Sequence, residues 1–371
     1  MALFEELTTM GHEQVVFCHD KITGLKAIIA IHDTTLGPAL GGCRMWDYKS
    51  EEDALRDVLR LSRGMTYKNA VSGLNLGGGK SVIIGDPKKL KSEAFFRTFG
   101  RFVNSLGGRY ITAEDVNIRV KDIELVGLET DFVAGINSRA GGSGDPSPVT
   151  AWGVYHGIRA SVQYKLGKSS LKGVSVAVQG CGAVGSHLIE HLTAEGAKVY
   201  AADIDAEKVK ECTKRYGAEA ASLADIHKLQ VDVFAPCALG GFLDDRIIPE
   251  LKAAIVAGAA NNQLLDEEVH GKMIRERGIL YAPDYVINAG GVINVYQELA
   301  GYNEKTAKQR AANIYDTLIS IYKEADTKGI TTNEASDLIA EERIKSIRSM
   351  SAIRNTIGNQ NWTHHNLLKQ R

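Results

Sequence analysis

At 371 residues, the chain is longer than the ~250–300 residues at which a single hydrophobic core stops growing, so we expect two domains. Hydrophobic residues make up 44% and charged residues 24% of the chain, a composition that excludes intrinsic disorder and collagen-like structure. The 44 Lys and Arg nearly balance the 45 Asp and Glu, and this net charge of −1 argues against nucleic acid or a membrane surface as a partner.

The N-terminus and the cysteines indicate a cytoplasmic protein with reduced thiols. The chain begins with acidic residues where a secretory signal would carry Lys or Arg, and no apolar run approaches the ~18 residues of a membrane span. The five cysteines are scattered without CxxC spacing, which argues against a disulfide framework or a zinc site. His187 and His191 have the i, i+4 spacing of helical zinc ligands, but a third ligand is missing, so we expect no metal.

The first two predicted structures are a hairpin and a long helix. Residues 14–20 and 25–32 alternate apolar and polar side chains around a glycine-containing turn, which predicts an antiparallel hairpin. From Ser50 the apolar period becomes helical, with acidic residues in the first turn, and we expect the helix to reach Lys68.

A glycine-dense stretch follows the long helix. We predict a loop from Gly73 to Lys80 and a short strand over 82–84. The pattern then predicts a helix, a strand and a second helix, over 93–106, 109–112 and 121–129.

A segment rich in glycine and proline divides the chain. Neither helix nor strand is expected to continue through residues 140–148. We therefore place a substrate-binding and catalytic domain at 1–140, a linker at 141–148 and a nucleotide-binding domain at 149–331. In the second domain, short apolar runs alternate with helical segments, which predicts a parallel sheet with strands over 174–178, 199–203, 231–235, 254–257 and 279–282. Helices close the chain over 304–328 and, behind a capping box of Thr331 and Glu334, over 332–354.

A dinucleotide-binding motif opens the second domain. The sequence Gly180-x-Gly182-x-x-Gly185 follows an apolar strand and begins a helix, a context that makes this common pattern specific. The turn residues expected at the cofactor are Gly180, Cys181, Gly182, Ala183, Val184 and Gly185. Asp203 ends the next strand, where a carboxylate accepts hydrogen bonds from a ribose hydroxyl and repels a 2′-phosphate. These residues predict NAD as the cofactor in preference to NADP.

Two lysines and an aspartate are the candidate catalytic residues of the first domain. Lys80 follows three consecutive glycines, which are costly to order and indicate close approach of the backbone to a ligand. Burial disfavours the charged form of a lysine, which makes Lys80 a candidate general base. Lys68 follows the long helix, and Asp115 ends a strand.

These residues lie in segments that resemble the glutamate/leucine/phenylalanine/valine dehydrogenase family. The segment from Leu74 to Pro87, centred on Gly77-Gly78-Gly79-Lys80, is similar to the family signature at every defined position. The resemblance covers nearly the whole chain, with further segments in family order at 37–44, 145–148, 234–241, 260–263 and 282–291.

The resemblance implies an α/β fold in two domains, a substrate and oligomerisation domain followed by a Rossmann-type, doubly wound NAD domain. It also implies that helices within 332–371 pack back on the first domain, and that the protein is a homo-oligomer, either a dimer or an octamer. The implied reaction is the reversible oxidative deamination of an L-amino acid with NAD and water, which gives a 2-oxo acid, ammonium and NADH.

Matching positions in the family imply the role of each site residue. Lys68 would hold the substrate carboxylate, Lys80 would activate the water that attacks the imine, and Asp115 would shuttle protons to and from the amino group. The backbone of Gly41 and Gly42 would line the carboxylate site. Further cofactor contacts are implied at Thr150, Ala238, Asn261, Asn262 and Asn288.

The residues implied around the substrate side chain are apolar. They are Leu40, Ala113, Val292 and Val295. A glutamate side chain would bury its carboxylate there without a partner, so we expect a branched-chain substrate, leucine foremost, with valine and isoleucine accepted. An aromatic substrate, phenylalanine or tryptophan, is the alternative, because the methyl group of Ala113 discriminates by only ~1–3 kcal/mol and Tyr296 departs from the pattern of leucine enzymes.

Two other classes of protein share parts of these patterns. The two-domain folate and shikimate dehydrogenases also place a catalytic domain before a Rossmann domain, but nothing in them requires the Gly77-Gly78-Gly79-Lys80 signature. A nucleotide-sensing protein would keep the glycine turn and need neither lysine nor Asp115. Absorbance of NADH after addition of NAD and L-amino acids distinguishes an enzyme from such a sensor.

Overall fold

The structure is a computed structural model that describes residues 3–137, 142–238 and 240–356. Within it the chain forms two compact α/β units. The first unit holds the described residues up to Asp145, Val295–Asn303 and the residues from Ala340 onward, and the second holds Pro146–Asn294 and Glu304–Ile339. The division after Asp145 falls inside the segment predicted as a linker, of which Gly141 lies outside the described residues.

The first unit is built on a five-stranded sheet. Its strands are β1 Gln14–Asp20, β2 Leu25–Asp33, β3 Ala39–Trp46, β4 Gly77–Ile84 and β5 Tyr110–Glu114. They lie in the order β1-β2-β4-β3-β5; β1 and β4 are antiparallel to β2, and β3 is parallel to β4 and β5. The helices before Asp145 are α1 Leu3–Met10, α2 Glu51–Val71, α3 Glu93–Ser105 and α4 Val120–Val126. The predicted hairpin and the predicted long helix are confirmed, whereas α1 and β3 were not predicted.

Helix α2 packs on one face of this sheet and carries Lys68 in its last turn. The Oγ atom of Ser50 accepts a hydrogen bond from the backbone N–H of Asp53 at 3.0 Å, which caps the helix as expected. Apolar side chains of α2, among them Val58 and Leu59, are buried in one cluster with residues of β2 and β4. Burial of this face fixes the helix, and with it Lys68, against the sheet.

The stretch from Gly77 to Lys80 is part of strand β4, so its prediction as a loop was wrong. A Cβ atom on Gly78 would lie 2.1 Å from the backbone nitrogen of Thr66 in α2, and one on Gly77 would lie 2.0 Å from the carbonyl oxygen of Asp33. These distances are far below van der Waals contact. The glycines therefore allow α2 and the neighbouring chain to approach β4, where we had expected a ligand to do so.

The second unit contains a parallel sheet. Its strands are β6 Ser175–Gln179, β7 Lys198–Ala202, β8 Glu219–Ala220, β9 Val233–Pro236, β10 Ile255–Val256 and β11 Leu280–Tyr281. Their order is β11-β10-β9-β6-β7-β8, and all their pairings are parallel. This is the doubly wound order of Rossmann folds, in which the strand order reverses between β6 and β9. The predicted parallel sheet is confirmed, and β8 is an addition to it.

The helices after Asp145 include two short ones, over 284–287 and 290–296, that were not predicted. In chain order the helices are α5 Ser147–Leu166, α6 Ala183–Ala194, α7 Ala206–Tyr216, α8 Glu267–Glu276, α9 Asp284–Ile287, α10 Gly290–Tyr296, α11 Glu304–Ala312, α12 Ile314–Lys328 and α13 Thr332–Thr356. The single helix predicted over 304–328 is two helices, because the N–H of Asn313 bonds to the carbonyl of Arg310, a tighter turn that ends α11. None of the described helices is long and apolar enough to cross a membrane.

Helix α13 begins with the predicted capping box and continues into the first unit. Glu334 accepts a hydrogen bond from the N–H of Thr331 at 2.7 Å, and its own N–H donates to the Thr331 hydroxyl at 3.2 Å. From Ala340 onward, α13 belongs to the first unit. There Arg343 donates to the carbonyl of Ala70 at 2.7 Å, which satisfies a backbone acceptor at the end of α2.

Candidate functional site

Lys80 and Asp115 form a close ion pair in the first unit. Lys80 lies in β4 and Asp115 directly follows β5, and both strands are neighbours of β3. The Lys80 Nζ atom is 2.5 Å from Asp115 Oδ2. Lys80 is only 7% exposed, whereas 22% of the Asp115 side chain is exposed. The structure therefore joins the predicted general base to the predicted proton shuttle, and solvent reaches the pair on the side of the carboxylate.

Arg44 is a second cation beside Asp115. It lies in β3, and its Nε atom is 3.4 Å from Asp115 Oδ2. Its Nη1 atom donates to Asp57 Oδ2 at 3.0 Å. The hydroxyl of Tyr48 donates to the same oxygen of Asp57 at 2.7 Å. A row of hydrogen bonds and ion pairs thus leads from Tyr48 through Asp57 and Arg44 to Asp115.

The electrostatics of the pair favour an ionised Asp115. Burial raises the pKa of this carboxyl, but the positive charges of Lys80 and Arg44 outweigh burial and hold the pKa below its usual value. The adjacent Glu114 behaves in the opposite way, because burial and the nearby charge of Asp145 raise its pKa. Of the two neighbouring carboxyls, Asp115 is therefore the one whose ionised form is favoured by its surroundings.

The backbone of Gly41 and Gly42 runs against the same pair. A Cβ atom on Gly42 would lie 2.8 Å from the Cβ of Asp115, and one on Gly41 would lie 1.7 Å from the carbonyl oxygen of Gly79. The buried hydroxyl of Tyr110 donates to the Gly41 carbonyl at 2.8 Å and fixes the orientation of that peptide. Both positions need glycine, because any side chain would separate β3 from β4 or from Asp115.

Lys68 lies on the face of α2 that is directed toward Gly41. The Met65 side chain comes within 3.2 Å of the position that a Gly41 Cβ would take. Residues three apart on a helix are neighbours on one face, so Lys68 follows Met65 on that face. Lys68 therefore lies one helical turn after the residue of α2 that faces Gly41, and its role at the carboxylate site stays a prediction.

The residues predicted around the substrate side chain do not all belong to one unit. Leu40 and Ala113 lie in β3 and β5 and are 3% and 8% exposed. Ala113 and Val295 converge on Gly135, whose Cβ, if present, would lie 3.9 Å from the Cβ of Ala113 and 4.0 Å from a methyl group of Val295. Leu40, Ala113 and Val295 belong to the first unit, whereas Val292 belongs to the second.

The glycine turn follows β6 at the point where the strand order reverses. A Cβ atom on Gly185 would lie 1.9 Å from the Gly180 carbonyl oxygen, and one on Gly180 would lie 2.8 Å from the Ala238 backbone nitrogen. A Cβ on Gly182, in contrast, would meet no atom of the described chain within 4 Å. Ala183 and Val184 begin α6, whose first N–H groups lack partners within the helix. An open backbone beside a helix N-terminus fits the pyrophosphate of a dinucleotide.

Asp203 lies directly after β7 and is hydrogen-bonded to the backbone of this turn. Its Oδ2 atom accepts a hydrogen bond from the backbone N–H of Cys181 at 2.6 Å, and its Oδ1 atom accepts one from Asp205 at 2.8 Å. A carboxylate oxygen has a second lone pair, so both oxygens keep the capacity to accept a ribose hydroxyl. The Cys181 thiol is buried, and burial together with the neighbouring Cys212 raises its pKa to about 12.

The other predicted cofactor residues lie after the last strands of the second unit and at its first helix. The Asn288 side chain donates to the Asn261 side-chain oxygen at 2.6 Å. Asn262 has a left-handed φ of 50°, a conformation that asparagine tolerates better than most residues. The Thr150 hydroxyl, in α5, lies 3.1 Å from the position of a Gly291 Cβ. The structure therefore brings Asn261 and Asn288 together and places Thr150 against the start of α10.

Several polar residues of the first unit were not predicted. Arg44 lies in the segment 37–44 that carries part of the family resemblance, but no role was predicted for it. Asp57, Tyr48 and Tyr110 were not among the predicted site residues. The hydroxyl of Tyr110 is within 2.9 Å of Ser81 Oγ as well as bonded to Gly41. Their contacts join β3 to α2 and to β5, which are distant in the sequence. The one local signal was the presence of Arg44 two residues after the glycine pair.

Models of two protein domains match the chain. The model for the Glu/Leu/Phe/Val dehydrogenase dimerisation domain matches residues 12–131. The model for Glutamate/Leucine/Phenylalanine/Valine dehydrogenase matches residues 141–207 and 201–353. Together they span nearly all the described residues.

Individual relatives resemble the chain over most of its length. The leucine dehydrogenase of Geobacillus stearothermophilus is 57% identical over 94% of this chain and 95% of its own. The valine dehydrogenase of Streptomyces virginiae is 51% identical over 91% of this chain and 95% of its own. The crystal structure of L-tryptophan dehydrogenase from Nostoc punctiforme superimposes with a TM-score of 0.85 at 49% identity, and the match covers 93% of this chain and 99% of that one.

Proposed function

The chain belongs to the glutamate/leucine/phenylalanine/valine dehydrogenase family, and we propose that it catalyses the NAD-dependent, reversible oxidative deamination of L-leucine. Valine and isoleucine are further substrates, and the products are the 2-oxo acid, ammonium and NADH. The observation that carries the proposal is the Lys80–Asp115 pair, at 2.5 Å, in the unit where Ala113 and Val295 converge on Gly135. This arrangement supports a proton-transfer role for the pair, with apolar side chains in the same unit for the substrate side chain.

Each predicted catalytic or carboxylate-binding residue of the first unit has a role in this reaction. Lys68 binds the α-carboxylate, with the backbone of Gly41 and Gly42 beside it. Asp115, in its ionised form, takes a proton from the substrate ammonium group so that the amine can be oxidised to an imine. Lys80 takes a proton from the water that attacks this imine, and the proton then leaves with the amino group as ammonium. The short distance between Nζ and Oδ2 supports direct proton exchange within the pair.

The residues of the second unit hold the cofactor. NAD supplies the acceptor for the hydride that leaves the α-carbon of the substrate. We place its pyrophosphate at the glycine turn from Gly180 to Gly185, near Ala238, and its adenosine ribose at Asp203. Its nicotinamide half is held by the remaining cofactor residues, which are Thr150, Asn261, Asn262 and Asn288. The acidic side chain of Asp203 supports NAD over NADP, because a carboxylate repels a 2′-phosphate.

The substrate assignment is tested by measuring kcat/KM for leucine, valine, phenylalanine, tryptophan and glutamate with the same preparation. We expect leucine to rank first, valine to follow within about tenfold, and glutamate to be rejected by at least ~10³-fold, because its carboxylate would be buried without a partner.

Equal kcat/KM values with NAD and NADP would contradict the role given to Asp203.

An aromatic substrate is the second candidate. It is supported by the L-tryptophan dehydrogenase of Nostoc punctiforme, which shares the fold and about half the sequence. The leucine dehydrogenases among the relatives are more similar, at 53–57% identity over 94% of this chain. An order in which tryptophan or phenylalanine exceeds leucine would replace the leucine assignment with the aromatic one.

We further propose that the protein acts as a homo-oligomer, a dimer or an octamer, in the cytoplasm. The assembly is supported by the match of residues 12–131 to a domain described as a dimerisation domain. Light scattering of the purified protein measures the subunit number directly, and a monomer at the concentration of the activity assay would contradict the proposal.

A further inference from the structure

Arg44 stands between two carboxylates, one of which is the proposed proton shuttle. We propose that Arg44 is a positioning residue, which is anchored by Asp57, keeps Asp115 close to Lys80 and favours the ionised form of its carboxyl in the states in which it has to accept a proton. The inference rests on the proposed deamination, in which Asp115 exchanges protons with the substrate.

The anchor of Arg44 is built from two elements. Asp57 lies on α2 with 17% of its side chain exposed, and its Oδ2 atom accepts from both Arg44 and Tyr48. The Arg44 side chain is 20% exposed, and its buried Nε atom makes no hydrogen bond within the described residues. This Nε atom faces Asp115 Oδ2 at 3.4 Å. One edge of the guanidinium is therefore fixed, while the other is directed at Asp115 and is not bound elsewhere.

The charges around Asp115 explain why a second cation is needed. The positive charges that act on this carboxylate come from Lys80 and Arg44. A general base has to lose its proton, so Lys80 contributes no positive charge at the step in which it activates water. A guanidinium does not deprotonate in proteins, so Arg44 keeps its charge at that step. Arg44 is thus the cation that holds Asp115 ionised while Lys80 is neutral.

The other titratable groups near Asp115 do not replace this charge. Burial raises the pKa of each of them, and each is neutral when protonated and negative when it loses its proton. These groups are Cys43, Tyr48, Tyr110 and Glu114. Asp57, on α2, is itself negative. Without Arg44, Lys80 would be the remaining cation that acts on Asp115 among the described residues, because the exposed Arg60 pairs with Asp57 instead.

The test compares Arg44→Met, Arg44→Lys and Arg60→Met with the wild type. Arg60 is the matched control, because it lies 3.4 Å from the other oxygen of Asp57 and is 60% exposed. We measure kcat and KM for leucine against pH, together with the melting temperature. Arg44→Met should move the acidic limb of the kcat/KM profile up by about one pH unit, since removal of an adjacent positive charge makes both members of the Lys80–Asp115 pair bind their protons more tightly. It should also lower kcat by ~10–100-fold, with a smaller change in KM.

The two remaining variants separate charge from geometry. Arg44→Lys should return the acidic limb toward its wild-type position and restore kcat only in part, because an ammonium group cannot bind Asp57 and face Asp115 with the fork of a guanidinium. Arg60→Met should leave both the profile and kcat unchanged.

Three outcomes in the variants would overturn the inference. One is an Arg44→Met variant that has the wild-type pH profile and a kcat within twofold of wild type. Another is an Arg60→Met variant whose acidic limb shifts as far as that of Arg44→Met. If Arg44→Met does not fold, Asp57→Asn provides the test, because it preserves the volume and releases the anchor; an unchanged profile in that variant is the third. Wild-type protein that oxidises no amino acid would overturn the proposed function and this inference together, whereas an active wild type with unaffected variants would overturn the inference alone.

Discussion

Replacement of Gly78 by alanine tests how closely α2 packs on β4. The new Cβ atom would lie 2.1 Å from the backbone nitrogen of Thr66, 2.1 Å from its hydroxyl oxygen and 2.6 Å from the carbonyl oxygen of Ser62. Ordinary contact begins near 3.4 Å, so α2 has to retreat by 3.4 minus 2.1, or about 1.3 Å. Two of the three atoms belong to the helix backbone, and rotation of a side chain cannot relieve the overlap.

The retreat should affect stability and catalysis together. Overpacking of a buried site costs about 1–3 kcal/mol, and we expect Gly78→Ala to lie at the upper end because backbone has to move. Lys68 lies on the same helix, two residues after Thr66, so it shifts with α2. A displacement of about 1 Å in a positioning group costs on the order of 100-fold in rate, and we expect a loss of this size in kcat/KM for leucine.

The matched control for this variant is Gly64→Ala on the same helix. A Cβ at Gly64 would meet no described atom within 4 Å, and the position is exposed. Alanine there should stabilise α2 by roughly 0.5–1 kcal/mol without a change in kcat/KM. Urea denaturation and leucine kinetics of the two variants provide the comparison. If Gly78→Ala were as stable and as active as Gly64→Ala, the packing of α2 described here would be incorrect.

Three further predictions concern other parts of the molecule. Lys80→Ala should lower kcat by ~10²–10⁴-fold and leave the Kd for NAD nearly unchanged; more than a tenth of wild-type kcat would exclude Lys80 as the base. Gly182→Ala should fold normally and bind NAD weakly, since its Cβ enters open space, whereas Gly185→Ala should lower the melting temperature, since its Cβ meets a backbone oxygen at 1.9 Å; equal melting temperatures would contradict this. Burial and the neighbouring His32 lower the pKa of His12 to about 4, so stability should fall as pH drops from about 6.5 toward 4, by at most ~1.4 kcal/mol per unit for this group; His12→Gln should flatten that slope in thermal melts, and an unchanged slope would exclude His12 as its source.

The parts of the fold that follow local patterns could be predicted from the sequence. The hairpin around Gly24 and the helix that begins after Ser50 each carry their own hydrophobic period and turn or cap residue. The glycine turn after β6 was equally clear, because strand, glycines and helix follow one another directly. Each of these signals lies within about 20 residues of sequence.

The parts that depend on tertiary packing could not be predicted. Glycine is typical of loops, so the first residues of β4 were assigned to one, although α2 and the flanking strands make them a buried strand. Strand β3 contains Gly41 and Gly42, which interrupt its apolar run. Arg44 lies in β3 and Asp115 directly follows β5, so their contact depends on how these two strands pair in the sheet. No sequence pattern near either residue predicts it. The roles proposed for Lys68, Lys80 and Asp115 came from resemblance and stay predictions until the variants are measured.

Asp203 has a consequence for attempts to change the coenzyme of this enzyme. Replacement of this carboxylate would remove its repulsion of the extra phosphate of NADP, but the same side chain accepts hydrogen bonds from the backbone N–H groups of Cys181 and Asp205. A small apolar substitute would leave the N–H of the buried Cys181 without its acceptor, at a cost of about 1–3 kcal/mol. Libraries for a coenzyme switch should therefore sample asparagine and serine at position 203, which keep an acceptor oxygen, and supply the phosphate contact from the neighbouring Lys208. With the ribose at Asp203 as proposed, coenzyme choice and the hydrogen bonding of the glycine turn depend on the same side chain.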